Sequence, residues 1–259
     1  MNHSQWFGDG PRLESLESLQ LLNANKEREF DGMAKLARMV TASSAALIYF
    51  FDVDKVWIKS SNGDFDSIEP SDLESSFFGL QTSDFLELQE GNQDFGKEII
   101  EKGFNFYLAL PVKDQNGYLL GAIAVLDRNG KKLDEEQKEG LAILAGGMMS
   151  LLRDRKTNIE LSHYEKLFRL SSDLVCLAGT DGFFKRVSPS FSKILGWDTE
   201  TLLSKSFFEL IHPDDLDKTA VEVQRLSQGI PTINFIHRFS TADGSYKVLQ
   251  WTASPEPAT

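Results

Sequence analysis

The 259-residue sequence holds a single cysteine, Cys176. That excludes an internal disulfide framework and any site built from several thiolates, such as a structural zinc or iron–sulfur cluster. Histidine is almost as scarce, with four. Long apolar runs are missing as well, and none approaches the roughly 18 residues that a membrane-spanning helix needs. Positive charge is the minority sign, 27 Lys and Arg against 39 Asp and Glu, for a formal charge of −12. This balance argues against nucleic acid as a partner and against docking on anionic lipid, both of which call for a basic surface. The opening Met1-Asn2-His3-Ser4-Gln5-Trp6 has neither a basic nor an apolar stretch, so it is not expected to act as a secretory signal. A cytoplasmic location is the expectation.

What is present is a folded-protein composition, 41% hydrophobic and 25% charged, with 19 phenylalanines to fill cores. The length predicts about two domains. Leucines at 13, 16, 19, 21 and 22 predict a helix over 11–22, and Phe30, Met33, Leu36, Ala37 and Val40 predict another over 27–40. The continuous apolar run Ala45–Phe51 reads as a buried strand. Val56–Ser60 is its hairpin partner, closed by Asn62-Gly63. Residues 64–103 read as irregular, with short helices near Asp72–Phe78 and Gln93–Lys102. Strands are predicted over Phe104–Val112 and Tyr118–Asp127, around Asp114-Gln115-Asn116-Gly117.

A long helix should start at Asp134, its N-cap, and carry Leu141, Leu144, Ala145, Met148, Leu151 and Leu152 at 3–4 spacing. Charges at Arg153-Asp154-Arg155-Lys156 interrupt the stripe, and Ile159, Leu161, Tyr164, Leu167 and Phe168 resume it. The second half then predicts a strand over Asp173–Ala178, a turn at Thr180-Asp181-Gly182, and a strand over Phe183–Val187. A helix follows, capped by Ser188-Pro189 and stopped by Gly196. A helix after His212-Pro213-Asp214-Asp215 is expected to be capped by Asp214 or Asp215 and to use Leu216, Ala220, Val223 and Leu226. Two further strands, Thr232–Ser240 and Tyr246–Ala253, flank Asp243-Gly244.

Both halves resemble known families. Residues 12–155 resemble a GAF domain of a kind common in bacterial sensors. The likeness rests on Arg12-Leu13-Glu14-Ser15-Leu16, Glu29-Phe30-Asp31, Val56-Trp57-Ile58-Lys59-Ser60, Phe106–Pro111 and above all Gly117–Asp127. Residues 163–254 resemble a PAS domain through Ser172–Cys176, Asp181–Pro189, Leu195-Gly196-Trp197, Ile211–Asp215 and Asp243–Tyr246, in the family's order. The resemblance implies an α+β chain of two domains, each an antiparallel sheet flanked by helices, joined by a long connecting helix. The expected boundaries are a GAF-like domain over 1–155, a helical linker over 156–172 and a PAS-like domain over 173–259. In the PAS family the last strand lies between the first and the next-to-last. The sequence stops at Thr259, where that strand is due, so an N-terminal piece of a longer protein is expected.

The cofactors of these families each need particular residues. A covalent bilin needs a cysteine on or before the GAF domain, and a flavin adduct needs one within 197–211; neither is there. A haem needs a histidine on the long PAS helix, and 216–228 has none. Cys176 is read as a small buried hydrophobe. His212 belongs to the His-Pro-Asp-Asp turn. His163 lacks the acid and the Arg-Thr-Pro that follow a phospho-accepting histidine. Asp214-Asp215 and Asp134-Glu135-Glu136 sit at helix starts, where capping explains them better than acid–base chemistry. Phe184, Phe191, Trp197, Phe208, His237 and Trp251 are candidates to line a PAS pocket for a small ligand of unknown kind. Leu141, Leu144, Met148, Leu151, Ile159 and Leu161 are candidate interhelical contacts of a homodimer.

The function expected is therefore a non-catalytic input module of a bacterial signal-transduction protein, a histidine kinase by family analogy, with its output domain later in the same chain. The alternatives are the input region of a diguanylate cyclase and a ligand-free dimerisation scaffold.

Overall fold

The computed structural model describes residues 9–22, 27–88 and 97–255. The chain folds as two units, residues 1–160 and 161–259. The first unit begins with helices α1 (Gly10–Ser18) and α2 (Arg28–Thr41). Strands β1 (Ala45–Phe51) and β2 (Val56–Gly63) follow, then α3 (Ser76–Thr82), the two-residue β3 (Leu86–Glu87) and α4 (Lys97–Glu101). The unit continues with β4 (Phe106–Lys113), β5 (Leu119–Asp127) and α5, whose 36 residues run from Glu135 to Leu170. One antiparallel sheet has the order β2-β1-β5-β4-β3. Of the helix expected at Gln93–Lys102, residues 93–96 lie outside the described residues, and the remainder forms α4.

The unbroken apolar runs are explained by coverage on both sides. All seven residues of β1 and all nine of β5 are buried. With a period of two, Ala46, Ile48 and Phe50 point to one core, shared with α1, α2 and α5. Ala45, Leu47, Tyr49 and Phe51 point to a second core under α3, α4 and the preceding loop. The neighbouring strands run so close that a Cβ on Gly121 would stand 2.1 Å from the Tyr49 carbonyl oxygen, so only glycine fits there. On the second face the Tyr49 and Tyr107 hydroxyls bond each other at 2.7 Å, and Ser76 Oγ lies 2.9 Å from Tyr49. Desolvation pushes both phenols up, Tyr49 to about 12.

One expectation for this unit needs correction, and one holds. The covered face of α2 is Phe30, Ala34, Ala37 and Thr41, while Leu36 and Val40 are exposed. The apolar pattern is wider than the contact, and the small alanines are what let the helix approach the sheet. Asp134 does cap α5, accepting from Gln137 N while Gln137 Oε1 accepts from Asp134 N.

The second unit takes in the end of α5, then β6 (Cys176–Ala178), β7 (Phe184–Val187), α6 (Ser190–Leu195), α7 (Thr199–Ser204), α8 (Leu216–Ser227), β8 (Thr232–Ser240) and β9 (Tyr246–Ala253). The strands form two separate hairpins, β6-β7 and β8-β9, so β6 and β9 each pair with one strand among the described residues. Its core gathers Phe184, Val187, Phe191, Leu195, Leu202, Phe207, Leu210, Ile211 and Phe239. Gly182 and Gly244 hold φ of +84° and +83°, as the two hairpin turns require. Ser188 is no cap: its hydroxyl accepts from Val175 N and donates to the Asp173 carbonyl, tying β6's approach to β7's exit. Asp215 stands at the N-cap position of α8, but its side chain makes no capping hydrogen bond there. The turn before it is held by His212 Nδ1, which accepts from Asp214 N. Asp215 instead accepts from Arg238 N and Nε and from Lys218, which holds its carboxyl far below the usual range. Along α8, Ala220 is exposed and Thr219 takes the buried place.

Candidate functional site

A pocket of about 130 Å³ opens in the second unit between the two hairpins and α8. Alternation along β8 turns Phe235, His237 and Phe239 to its inner side. Asn234, with φ of +57°, interrupts the pairing and brings Thr232 round to the same side. Cys176 and Ala178 of β6, Phe184 of β7, and Trp251 and Ala253 of β9 complete the strand walls. Thr219, Glu222, Val223 and Leu226 of α8 close the other flank.

The polar groups in this wall are spent on one another. Trp251 Nε1 donates to His237 Nε2 at 2.6 Å. His237 Nδ1 faces Thr219 Oγ1 at 3.3 Å, and that hydroxyl donates to the Asp215 carbonyl at 2.7 Å. A hydroxyl whose proton is committed can only accept, so the network assigns His237 the neutral, Nδ1-protonated form. Burial first of all, with Asp215 opposing, pulls its pKa down to about 4. Thr232 Oγ1 donates to Glu222 Oε2, and Arg225 bonds the other oxygen of that carboxylate. What faces the cavity is apolar. Cys176 is half-buried rather than fully buried, and desolvation raises its thiol to about 11, so it is protonated at neutral pH and a poor nucleophile.

Of the six residues proposed from the sequence for this pocket, the fold brings Phe184, His237 and Trp251 together around it. Phe191 is fully buried behind Trp251, their ring centroids 6.3 Å apart. Trp197 is turned away, its Nε1 donating to the Ser240 carbonyl, and Phe208 packs on Phe207. Sequence reasoning missed Thr219 and Phe235. The alternation Phe235-His237-Phe239 was a usable signal. Thr219 carried none, because its role depends on strand residues 18 or more positions away.

The interhelical candidates also divide. Leu141 and Met148 are wholly buried in the first unit's core, and the half-buried Leu144 and Leu151 pack against it, so within the chain these four face the sheet. Ile159 is half-buried. Leu161 is free, and with Tyr164 and Leu167 it makes a stripe that is 60–69% exposed. His163, nearby, is exposed. Among the described residues no group of three His, Cys, Asp or Glu side chains is placed to hold a metal, and no helix is long and apolar enough to cross a membrane.

Residues 184–258 match the family described as the PAS fold. No curated protein matches the chain. Solved structures similar to it include the phytochrome photosensory core module of Stigmatella aurantiaca (15% identity, TM-score 0.41, 57% of this chain and 37% of that one). Others are the Escherichia coli DhaR(N)–DhaL complex (18%, 0.39, 93% and 82%) and the GAF domain of a putative sensor histidine kinase from Pseudomonas syringae pv. tomato (16%, 0.40, 58% and 92%). This chain spans 37% to 62% of the length of the bacteriophytochrome chains it resembles. Overlaps of this quality carry no argument about function.

Proposed function

We propose that this chain is a non-catalytic sensory input module of a bacterial signalling protein, with the ligand-responsive site in its second unit. The observation that supports it most is the apolar pocket in a PAS fold, whose polar groups already bond one another. Such a cavity accepts a small uncharged apolar molecule, since a charged or strongly polar one would lose its hydration without gaining partners. Its volume of about 130 Å³ is that of a ring or short chain of a few carbons. Cys176, held as a thiol, fits a site that binds and does not react.

In this reading α5 carries the response. Binding shifts the population between two arrangements of paired α5 helices in a homodimer, whose seam is Leu161, Tyr164 and Leu167. The module sits in the cytoplasm and drives an output domain of the same protein, a histidine kinase first and a diguanylate cyclase second. Native mass spectrometry of the purified protein tests the site. A retained small molecule that is lost when Val223→Phe fills the cavity is the expected result. A bare chain before and after that change overturns ligand sensing.

The exposed stripe on α5 favours one other reading, a dimerisation scaffold that binds no ligand. Leu161→Asp with Leu167→Asp should convert a dimer to a monomer in sedimentation under either reading, with folding intact because both residues are exposed. An unchanged dimer would remove the seam from both.

A further inference from the structure

The first unit contains a cavity of a different character. It measures about 360 Å³ and lies where α1, the β4–β5 hairpin and α5 meet. Its floor is apolar, from Leu19, Leu120, Met149 and Leu152. Its rim carries three cations, Lys113 at the end of β4 and Arg153 and Lys156 on α5. None of the three makes an ion pair among the described residues. The one carboxylate in the wall, Asp114, is already engaged by neutral donors: Ser15 Oγ on one oxygen, the backbone N–H groups of Asn116 and Tyr118 on the other. It organises the hairpin turn and keeps its own negative charge, so the wall carries three cations against one carboxylate, a net positive rim. In a chain of net charge −12, three unpaired cations round a concave apolar floor concentrate positive potential there.

The site is also braced and open. Arg155, next along α5, donates to the Leu19 carbonyl at 2.6 Å and pairs with Glu27, fixing α5 against the end of α1. Gly146 lines the cavity one turn before Met149, and a Cβ there would meet nothing within 4 Å. A larger side chain at this position therefore has open space to enter on the cavity side.

We infer that this cavity binds a phosphorylated small molecule, the phosphate held by Lys113, Arg153 and Lys156 and an apolar or aromatic body resting on Leu19, Leu120, Met149 and Leu152. Guanidinium and ammonium groups together suit a doubly charged oxyanion, and a volume of about 360 Å³ falls within the size of small-molecule sites. The inference does not depend on the second unit's cavity or on any signalling role.

Calorimetric titration of the full chain with three probes tests it: phenyl phosphate, inorganic phosphate and benzyl alcohol. Phenyl phosphate should bind at least tenfold more tightly than either of the others, and more weakly as salt rises. Arg153→Gln with Lys156→Gln should weaken it tenfold or more. Gly146→Leu should abolish it while leaving the circular dichroism and melting temperature in place, since the new side chain enters empty space and glycine is a poor helix former. Inorganic phosphate binding as well as phenyl phosphate would mean a surface charge effect and overturn the proposal. So would phenyl phosphate binding that Gly146→Leu or the double charge change leaves untouched.

Discussion

The two units use the same ingredients, antiparallel strands and short helices, one five-stranded sheet in the first and two separate hairpins in the second, but they cover their strands to different degrees. In the first unit β1 and β5 are buried along their whole length, because helices lie on both faces of the sheet. In the second, β9 has no fully buried residue, and Ile233, Ile236 and Val248 face solvent at 50–70% exposure. Double coverage fills both faces of the sheet, and the first unit's open space lies at the meeting of α1, the β4–β5 hairpin and α5, among charges. In the second unit the open space is an apolar pocket between two hairpins that form no common sheet among the described residues. The first unit's site is rimmed by charge, and the second's is lined by apolar groups.

The sharpest way to break this contrast is to excavate the doubly covered sheet. Phe50→Ala removes a fully buried ring that packs edge-on to Phe30, centroids 6.1 Å apart, and should cost about 3–5 kcal/mol. Urea denaturation followed by hydrogen exchange should show β1 and β5 amides losing protection while β8 and β9 keep theirs. Equal loss in both units would show that they share one cooperative fold.

A second test is pH, and it bears on the other unit. His237 is neutral in the folded state with its pKa lowered to about 4, below the ordinary value of 6.5, so the unfolded chain takes up the proton first. The stability it contributes is complete above pH 6.5 and is lost as pH falls from there toward 4, on the order of 2 kcal/mol once solvent screening is allowed for. Melting of the second unit between pH 7 and 4 should show this slope, and His237→Gln should flatten it. A slope that persists in the variant would assign it to other groups.

The smallest effect concerns the start of α5. Asp134→Ala removes the carboxylate that accepts from Gln137 N at 2.8 Å and should cost about 1 kcal/mol, confined to the first unit. A loss felt in the second unit's melting would mean that the helix transmits strain across the boundary between them.

The sequence was most legible where local chemistry decides conformation. Ala45–Phe51 was read as a buried strand to the residue, because seven apolar side chains in a row leave no polar face. The turns at Asn116-Gly117 and Asp243-Gly244 followed from glycine's access to positive φ, and the Asp134 cap from its spacing to Gln137. The helix faces were misjudged where apolar residues outnumber the positions a neighbour can cover, as with Leu36 and Val40 on α2. The candidate site was half legible. Phe184, His237 and Trp251 stood out by residue type, but Phe191 and Trp197 look the same in sequence and pack elsewhere.

Composition and short-range pattern, then, determined by themselves that the chain is long enough for about two domains, mixes helices and strands, carries a long helix starting after Asp134 and has too few cysteines for a thiol cluster, whereas the α+β two-domain architecture followed from the family resemblance. Tertiary structure alone decided what Leu141 and Met148 touch, which proton His237 keeps, and that Lys113 shares a cavity with Arg153 and Lys156 some forty residues later. The reason is physical: periodicity reports that a surface is apolar or charged, whereas its partner is set by strand pairing and helix docking, which join residues far apart in the chain.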